Sequence, residues 1–447
     1  MKLKYTLAAG ALALASAAQA QTWIKDTADM TAGYAKNIYY SLETGTVKSV
    51  DANSWDIAIR SSGRSVGVYA NHAVNNVMVR PLTGLSAAAK FGQDLRPDTA
   101  GIVGAALYNS IETWEMGAFN ADADPTDVFD FGWGQYDQAT HVISGDKIYL
   151  VTVGTTAAYQ VWIKEDVATL TNAHWTIKIA NLDGTNPRTK EFDVNPTYSG
   201  KLFAYYNFAT DQMLDRDPAA STWDILFTKY TGPVSMGPGA PVMYPLTGIL
   251  SNENRGVVEI SGAAALTATW SASMAANLDS SINVIGNDWK KSNFANGVYP
   301  VKDSLTYFMQ VPNGDVWQLE LTHASLGNTG DPNILPGRIG LRKRKVYTKP
   351  PNPVGVTEIN AYVNNMLIAP NPAVGGVTYL LVDAKQELKN AQVTVTDLSG
   401  RVVMTGAQNF KAGFQQVRLD VSRFPAGIYV IQLSGAGFSA KQKMVIQ

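Results

Sequence analysis

SWDIAI at residues 54–59 and TWDILF at residues 222–227 are two versions of one segment. A tyrosine pair precedes each version at a similar distance, Tyr39-Tyr40 before the first and Tyr205-Tyr206 before the second. The interval between the two versions is that of a whole domain and is too long for a solenoid repeat. The sequence therefore predicts that a complete domain has been duplicated in tandem.

Short alternating runs with β-branched and aromatic residues dominate the chain, as in KIYLVTV at 147–153, YQVWI at 159–163 and WTIKI at 175–179. Runs of this length and alternation are typical of β-strands. We expect an all-β protein with two homologous antiparallel β domains in tandem. A small Ig-like β-sandwich is expected to follow them at the C-terminal end.

Composition limits the classes of partner. With 36 Lys+Arg against 37 Asp+Glu the formal net charge is −1, which excludes the strong positive field expected of a nucleic-acid-binding protein. The chain has no cysteine, so disulfides, cysteine zinc sites and a lipid attached to cysteine are also excluded. Stability must come from burial of apolar surface.

The chain predicts five segments. Residues 1–20 combine a basic start, an Ala/Leu run and a small-residue cleavage site, the pattern of a signal peptide. A short membrane anchor is the alternative, but the run is shorter than a bilayer requires, and we expect no transmembrane helix in the mature chain. The first β copy is expected at 21–196 and the second at 197–347. A Pro-rich linker at 348–364 then leads to a module at 365–447.

The module at 365–447 carries four short motifs in a fixed order. Their residues are Pro370, Asn371, Pro372, Gly400, Pro425, Gly427, Tyr429, Lys441 and Lys443. Together they resemble the type A C-terminal sorting domain of the type IX secretion system of Bacteroidetes. The resemblance implies recognition by the outer-membrane translocon and a secreted or cell-surface destination. An ordinary Ig-like binding module is the alternative.

The two β copies resemble the HmuY family of all-β haem-binding proteins, on the tyrosine pair, the Trp-Asp segment and the later hairpin with Tyr149 and Tyr159. The resemblance implies haem or another tetrapyrrole as ligand. The family's axial histidine lies in a Glu-Phe-x-His-Gly motif. Trp133 occupies that position in DFGWG, and Trp289 occupies it in the second copy. Because an indole cannot ligate iron, inherited coordination is in question in both copies.

Other side chains offer substitute ligands near the family's pocket: Met78, Met116, His141 and Met243, with His72 also at its border. Met78 and Met243 each precede a PLTG tetrad, at 81–84 and 245–248, which suggests equivalent positions and a strand-end turn. Core packing is the alternative for both methionines, and a structural or surface role is the alternative for His141. Trp55 and Trp223 are expected to pack in the cores, with the aspartates beside them bonded to turns.

Two charged stretches have simple interpretations. Asp122, Asp124, Asp127 and Asp130 form an acidic loop that is either solvated or a calcium site, although Pro125 excludes an EF-hand. The run RKRK at 342–345 is expected to form a solvent-facing strand edge, with an anion-binding patch as the alternative.

The sequence contains no H-E-x-x-H, G-x-S-x-G or P-loop motif, and we expect no enzymatic activity. The leading interpretation is an exported binding protein for haem or another tetrapyrrole. An adhesin or glycan-binding surface protein is the rival interpretation, and a passive surface component is the third.

Overall fold

The computed structural model describes residues 22–61, 66–168, 173–291, 298–325, 335–349, 362–373, 375–397, 400–435 and 438–447. The chain divides into two compact units between Thr348 and Lys349. The predicted signal peptide, and residues 350–361 of the predicted linker, lie outside the described residues. Within them the fold is nearly all antiparallel β, which confirms the predicted class, and no helix there is long and apolar enough to span a bilayer.

Twenty-one strands build the first unit. They are β1 (Ile24–Asp29), β2 (Lys36–Ser41), β3 (Gly45–Asp51), β4 (Ile57–Arg60), β5 (Val68–Ala70), β6 (Val77–Leu82), β7 (Gln135–Asp137), β8 (Val142–Ser144), β9 (Ile148–Val153), β10 (Ala157–Ala168), β11 (Ala173–Asn181), β12 (Arg188–Asp193), β13 (Phe203–Asn207), β14 (Gln212–Leu214), β15 (Ile225–Val234), β16 (Val242–Ser251), β17 (Gly256–Ser261), β18 (Val298–Tyr299), β19 (Leu305–Gln310), β20 (Val316–Ser325) and β21 (Arg338–Tyr347).

Helices are few and short. Two are α-helical, α1 (His72–Asn75) and α2 (Ala87–Lys90), and the 3₁₀ turns are Ala32–Tyr34, Pro97–Thr99, Ala118–Asn120, Ala220–Thr222, Gly262–Thr267 and Ala272–Asn277. None is long enough to form a layer of its own. The architecture is therefore set by sheet packing.

The four sheets described in the first unit form two large hydrophobic cores, and a smaller apolar cluster joins residues of the two small sheets. Core I combines the seven-stranded sheet of β6–β12 with the four-stranded sheet β14-β13-β4-β5. Core II combines the six-stranded sheet of β1 and β17–β21 with the four-stranded sheet β16-β15-β2-β3. Each core thus has one large and one small sheet, and each buries a large tyrosine on the equivalent strand, Tyr149 in core I and Tyr307 in core II.

The two copies exchange strands. β2, which carries the first tyrosine pair, lies beside β15 with Tyr40 opposite Ile225. β13, which carries the second pair, lies beside β4 with Tyr206 opposite Ile57. Each tyrosine strand therefore pairs with the Trp-Asp strand of the other copy. The swap extends to β1, which adds to the edge of the core II sheet beside β21.

Reciprocal hydrogen bonds fasten the exchange. The Asp56 carboxylate accepts the backbone N–H of Phe208 at 2.8 Å, and the Asp224 carboxylate accepts the backbone N–H of Leu42 at 2.8 Å. Phe208 and Leu42 each lie two residues after a tyrosine pair. The expectation that both aspartates bond to turns is confirmed, and the turn in each case belongs to the other copy.

Two asparagines repeat the same symmetry. Asn71 donates its side-chain amide to the carbonyls of Ala52 and Trp55, and Asn252 donates to those of Ala220 and Trp223. The similarity of the two copies therefore includes these buried hydrogen bonds as well as the strands.

The cores do not follow the predicted boundary between residues 196 and 197. That point lies between β12 and β13, and both of these strands belong to core I. The difference arises because sequence similarity marks equivalent strands but does not say which copy each one pairs with.

The PLTG tetrads are not equivalent, which corrects one expectation. Residues 81–84 run from the end of β6 into a turn, whereas residues 245–248 lie inside β16 and form no turn. Met78 on β6 lies opposite Thr152 on β9, and Met243 on β16 lies opposite Pro233 on β15. The suggested match between Met78 and Met243 is therefore wrong.

The RKRK run is also placed differently from the expectation. β21 is an interior strand between β1 and β20, so these residues form no sheet edge. Lys343 is buried, with its ammonium 4.4 Å from the ring centroid of Tyr40. The guanidiniums of Arg342 and Arg344 lie 4.6 and 4.5 Å from the ring centroid of Trp23. The ammonium of Lys345 lies 5.1 Å from the ring centroid of Trp317, so all four charges have an aromatic contact.

The second unit is a separate β domain around one core. Its strands are β22 (Val363–Ala369), β23 (Val377–Ala384), β24 (Leu388–Asp397), β25 (Val402–Phe410), β26 (Gly413–Asp420), β27 (Gly427–Gly435) and β28 (Phe438–Ile446). They form a three-stranded sheet, β22-β23-β26, and a four-stranded sheet, β25-β24-β27-β28.

Candidate ligand-binding cleft

A cleft opens in the first unit where the two small sheets meet. We call it the inter-core cleft. Its lining includes Asn37, Tyr39, Trp55, Tyr69, His72, Asn109, Trp114, Phe203, Tyr205, Arg216, Asp217, Trp223, Lys229, Tyr230 and Thr231. The enclosed space is about 80 Å³ and communicates with solvent. This is smaller than the roughly 150 Å³ cavity that holds benzene in another protein, so the enclosed part has room for only the edge of a ring-sized group.

Two reciprocal aromatic pairs form the centre of the cleft. Tyr39 meets Trp223 edge-on at 5.1 Å between ring centroids, and Tyr205 meets Trp55 edge-on at 5.2 Å. Each pair joins a tyrosine from one copy to a tryptophan from the other. Trp223 is fully buried and Trp55 half-buried, so the predicted core role is confirmed for Trp223 and only partly for Trp55.

Asp217 lies at the point where the two copies meet. Both tyrosine hydroxyls donate to its Oδ1, Tyr205 at 2.7 Å and Tyr39 at short range, and the two hydroxyl oxygens are 3.4 Å apart. The neighbouring Arg216 places its guanidinium 4.8 Å from the ring centroid of Tyr205 and donates to the carbonyl of Asp51 at 3.0 Å. The cleft thus contains one buried carboxylate shared by two copies.

Burial dominates the titration of these groups. Desolvation raises the pKa of the Asp217 carboxyl, against the opposing effect of the Arg216 charge and the two hydroxyl donors. Desolvation, together with the Asp217 charge, also raises the pKa of the Tyr39 and Tyr205 hydroxyls far above the ordinary value. Both tyrosines are therefore neutral hydrogen-bond donors at physiological pH.

His72 lines the cleft but is engaged. Its Nδ1 lies 3.1 Å from the carbonyl oxygen of Ala70, and its Nε2 lies 2.9 Å from that of Leu107. Burial lowers the pKa of His72 to about 4, so the ring is neutral at pH 7. The neutral ring has a single N–H, so it donates to one of the two carbonyls and only contacts the other, and it acts as a structural element of the wall.

The six residues predicted to hold a ligand do not converge. Trp133 is buried in core I against Trp175, and Trp289 is buried in core II beside the ammonium of Lys290. Those two indoles fill equivalent places in separate cores.

The remaining four lie elsewhere. Met78 and Met243 are half-buried on β6 and β16, Met116 is exposed, and His141 is exposed with Nδ1 2.7 Å from the Tyr136 hydroxyl. None of the six belongs to the cleft lining given by the structure.

The acidic loop satisfies its own backbone. Asp130 accepts the backbone N–H groups of Asp124 and Gly132 at 2.9 and 2.7 Å, and Asp127 accepts from the side chain of Gln135 at 2.9 Å. Within the described part of the chain no group of His, Asp and Glu side chains has the arrangement of a metal site.

Several motif residues of the second unit stabilise its turns and loops. The side-chain amide of Asn371 donates to the carbonyl of Lys443 at 2.9 Å and accepts the backbone N–H of Val445 at 2.8 Å, which ties the Pro370–Pro372 segment to β28. Gly400 has φ of 84° in the turn before β25, a conformation that favours glycine.

The remaining motif residues lie around β27 and β28. The Tyr429 hydroxyl donates to the carbonyl of Pro425 at 2.8 Å, which closes the loop before Gly427 at the start of β27. Lys441 and Lys443 lie on β28 opposite Gln432 and Val430.

Comparison with known proteins assigns the second unit. The family model of the secretion system C-terminal sorting domain matches residues 367–447. These residues are a type IX secretion C-terminal sorting domain. The protein is accordingly secreted or displayed at the cell surface, and the type IX machinery is its partner in export.

The other comparisons add little. A search of curated proteins gives no match. Among solved structures, the chain is similar to dimeric latent PorU from Porphyromonas gingivalis at 9% identity and a TM-score of 0.16, over 68% of this chain and 26% of that one. The chain spans about a quarter of that protein, and a likeness this low carries no argument. No comparison supports the HmuY resemblance, which stays a prediction.

Sequence reasoning missed Arg216 and Asp217. They lie in the segment between β14 and β15 and belong to no recognised motif. The repeated tyrosine pair was the only related feature visible in the sequence. In the structure the first tyrosine of each pair donates its hydroxyl to Asp217, and the second does not.

Proposed function

We propose that this chain is a non-enzymatic binding protein that acts outside the cell and takes its ligand in the inter-core cleft. One observation carries the proposal: strands of both copies build a single aromatic cleft with a buried carboxylate at its centre. A concave site with apolar walls and a few converging polar groups is the usual form of a small-molecule site. The sorting domain supplies the extracellular setting.

Two ligand classes compete for this cleft. Haem or another tetrapyrrole is supported by the HmuY resemblance of the sequence alone. A glycan, the ligand of an adhesin, is supported by the lining: Trp55 and Tyr69 give aromatic surface, while Asn37, Thr231 and Asp217 give hydrogen-bonding groups. The narrow space also favours a ligand that inserts one residue of a longer chain. We therefore place glycan binding ahead of tetrapyrrole binding.

The experiment is a pair of titrations of the full chain. Hemin is followed by its Soret absorbance, and an array of immobilised neutral and acidic glycans is probed with the labelled protein. We expect retention on a subset of glycans and no saturable Soret shift. A Soret shift with one-to-one stoichiometry would reverse the order of the two ligands. Failure of both classes would overturn the proposal of a binding cleft.

The specificity of any signal is checked with a variant of the cleft wall. Trp55→Ala removes the half-buried indole that faces Tyr205, and Trp270→Ala removes a half-buried indole that contacts Phe308 outside the cleft lining. We expect the first variant to lose binding and the second to retain it. Equal loss in both would locate the ligand elsewhere.

A further inference from the structure

The inter-core cleft contains an unusual concentration of buried polar atoms without a partner among the described residues. Five of its lining residues carry one each: Asp217 Oδ2, Arg216 Nε, Trp55 Nε1, Trp223 Nε1 and Thr231 Oγ1. Leaving such an atom unsatisfied is unfavourable, because it loses its hydrogen bonds to water without gaining others. Native structures keep very few of them, and a cluster in one cleft points to groups that a ligand satisfies.

The chemical types of these atoms restrict the ligand. Asp217 Oδ2 accepts, Arg216 Nε and the two indole N–H groups donate, and the Thr231 hydroxyl does both. An organic cation would satisfy the acceptor alone and would face the charges of Arg216 and Lys229. An anion would satisfy the donors but would face the Asp217 carboxylate. Neutral hydroxyl groups donate and accept, and they satisfy both types together.

The walls add a requirement for shape. Two edge-to-face pairs, Trp55 with Tyr205 and Tyr39 with Trp223, line a narrow space. Such surfaces pack against the C–H face of a small saturated ring. Resting on the proposed function, we infer that the inter-core cleft receives one edge of a single pyranose residue of a neutral glycan, with Asp217 as the anchor for the hydroxyl groups on that edge.

The symmetry of the copies predicts the stoichiometry. Tyr39 and Tyr205 are equivalent residues of the two copies, yet both hydroxyls bond to Asp217. A counterpart of Asp217 in the first copy would lie in the segment from Ser49 to Ala52. The only carboxylate of that segment is Asp51, and it pairs with Lys36 at 2.8 Å. Two copies therefore build one site, and we expect one sugar bound per chain.

The experiment titrates the full chain with the methyl glycosides of glucose, mannose, galactose and N-acetylglucosamine, by calorimetry and tryptophan fluorescence. For any glycoside that binds, we expect a one-to-one complex. Asp217→Asn, which keeps the size of the side chain, is expected to weaken binding at least about tenfold, the effect of about 1.4 kcal/mol. Tyr205→Phe, which removes one donor to Asp217, is expected to weaken binding a few-fold.

Matched controls come from the second tyrosine of the pair. Tyr206 donates its hydroxyl to Asp211 at 2.6 Å, the same kind of contact outside the cleft lining. Asp211→Asn and Tyr206→Phe are expected to bind the glycoside as the parent does. If the Asp217 variant fails to fold, as judged by its thermal unfolding, the Tyr205→Phe and Tyr206→Phe pair gives the same comparison.

The outcomes separate this inference from the proposed function. Binding of hemin, or of choline as an organic cation, without binding of any glycoside would overturn the sugar assignment and leave a binding cleft. Glycoside binding that is equally weakened by the Asp211 and Asp217 variants would overturn the role of Asp217. Two sugars per chain would overturn the shared site. Absence of every ligand would overturn both proposals.

Discussion

Core I and core II have the same strand plan, but they are assembled from the chain in different ways. Core I uses one continuous stretch, from β4 to β14. Core II joins β1–β3 to β15–β21, two pieces separated by the whole of core I. The comparison shows that the two similar halves form one interlocked body, because each half donates its first strands to the other.

The cores also differ at buried equivalent positions. Asp166 in core I corresponds to Ala324 in core II, since they lie opposite Trp175 and Ile339 on matching strands. Ile179 in core I corresponds to Lys343 in core II by the same register. Around the two turn-binding aspartates, core I supplies a neutral asparagine where core II supplies an arginine.

The largest expected difference concerns the two turn-binding aspartates. Asp224 pairs with the buried guanidinium of Arg255 at 3.1 Å, so Asp224→Ala leaves a buried charge without its partner, at a cost of about 3–5 kcal/mol. Asp56 has the neutral Asn75 as its side-chain partner, and Asp56→Ala should cost about 1–3 kcal/mol. Urea unfolding followed by tryptophan fluorescence measures both. All ten tryptophans precede residue 349, so the signal reports the first unit alone. Equal losses would refute the distinction.

The second test uses pH. Burial raises the pKa of Asp166 to about 7, and its Oδ1 has no partner among the described residues. In the unfolded chain this carboxyl has a pKa near its ordinary value of about 3.9. The folded state therefore retains a proton that the unfolded state has lost, and stability falls as pH rises from about 4 to about 7.

Asp166→Asn removes this dependence. At pH 8 we expect the variant to exceed the parent in unfolding free energy by up to about 4 kcal/mol, and to match it near pH 4. Unfolding curves at half-unit pH intervals measure the difference. Parallel pH profiles for parent and variant would show that Asp166 is not the titrating group. Ala324, at the corresponding position of core II, does not titrate, so this dependence of stability on pH comes from core I.

The third test transfers a residue from core I to core II. Lys343→Ile gives core II the side chain that core I has at Ile179. Burial lowers the pKa of Lys343, which shows that its charge is held at a cost, although it donates to the carbonyl of Ser41 at 3.3 Å. We expect a gain of about 1–2 kcal/mol, measured by urea unfolding. A loss of that size would mean that the contact with the Tyr40 ring outweighs desolvation.

The smallest expected effect is the loss of one tyrosine hydrogen bond in each core, and we expect its cost in unfolding free energy to be the same in both. Tyr206 donates to Asp211 at 2.6 Å, and Tyr40 donates to Asp26 at 2.8 Å. Tyr206→Phe and Tyr40→Phe are each expected to cost about 1 kcal/mol, within about 0.5 kcal/mol of one another. Thermal or urea unfolding of the two variants decides it. A clear inequality would limit the symmetry to the backbone.

The sequence was informative where residues repeat. The Trp-Asp segments and tyrosine pairs predicted equivalent environments, and Trp55 and Trp223 do face equivalent tyrosines. Strand exchange was not predictable, because pairing within a copy or between copies buries the same residues and satisfies the same pattern. The PLTG tetrads misled for the opposite reason: four identical letters at similar spacing have no structural counterpart.

The candidate site was harder to predict than the fold. Methionine and histidine were chosen for their ligand chemistry, whereas the centre of the cleft consists of two tyrosines, two tryptophans and one aspartate, and its one histidine is bonded within the wall. Asp217 has no local signature, since its significance comes from two hydroxyls that approach from distant parts of the chain. The sorting motifs were recognisable because they lie close together in sequence and form a self-contained domain.

The exchange of strands sets an order for biogenesis. The hydrogen bond from Leu42 to Asp224 joins residues 182 positions apart, and the one from Lys343 to Ser41 joins residues 302 positions apart. Contacts between such distant positions form slowly, because a long loop must close before they bring any gain. Core II therefore cannot be completed until nearly all of the first unit has been synthesised, and the earliest strands remain available to chaperones and to an export channel until then.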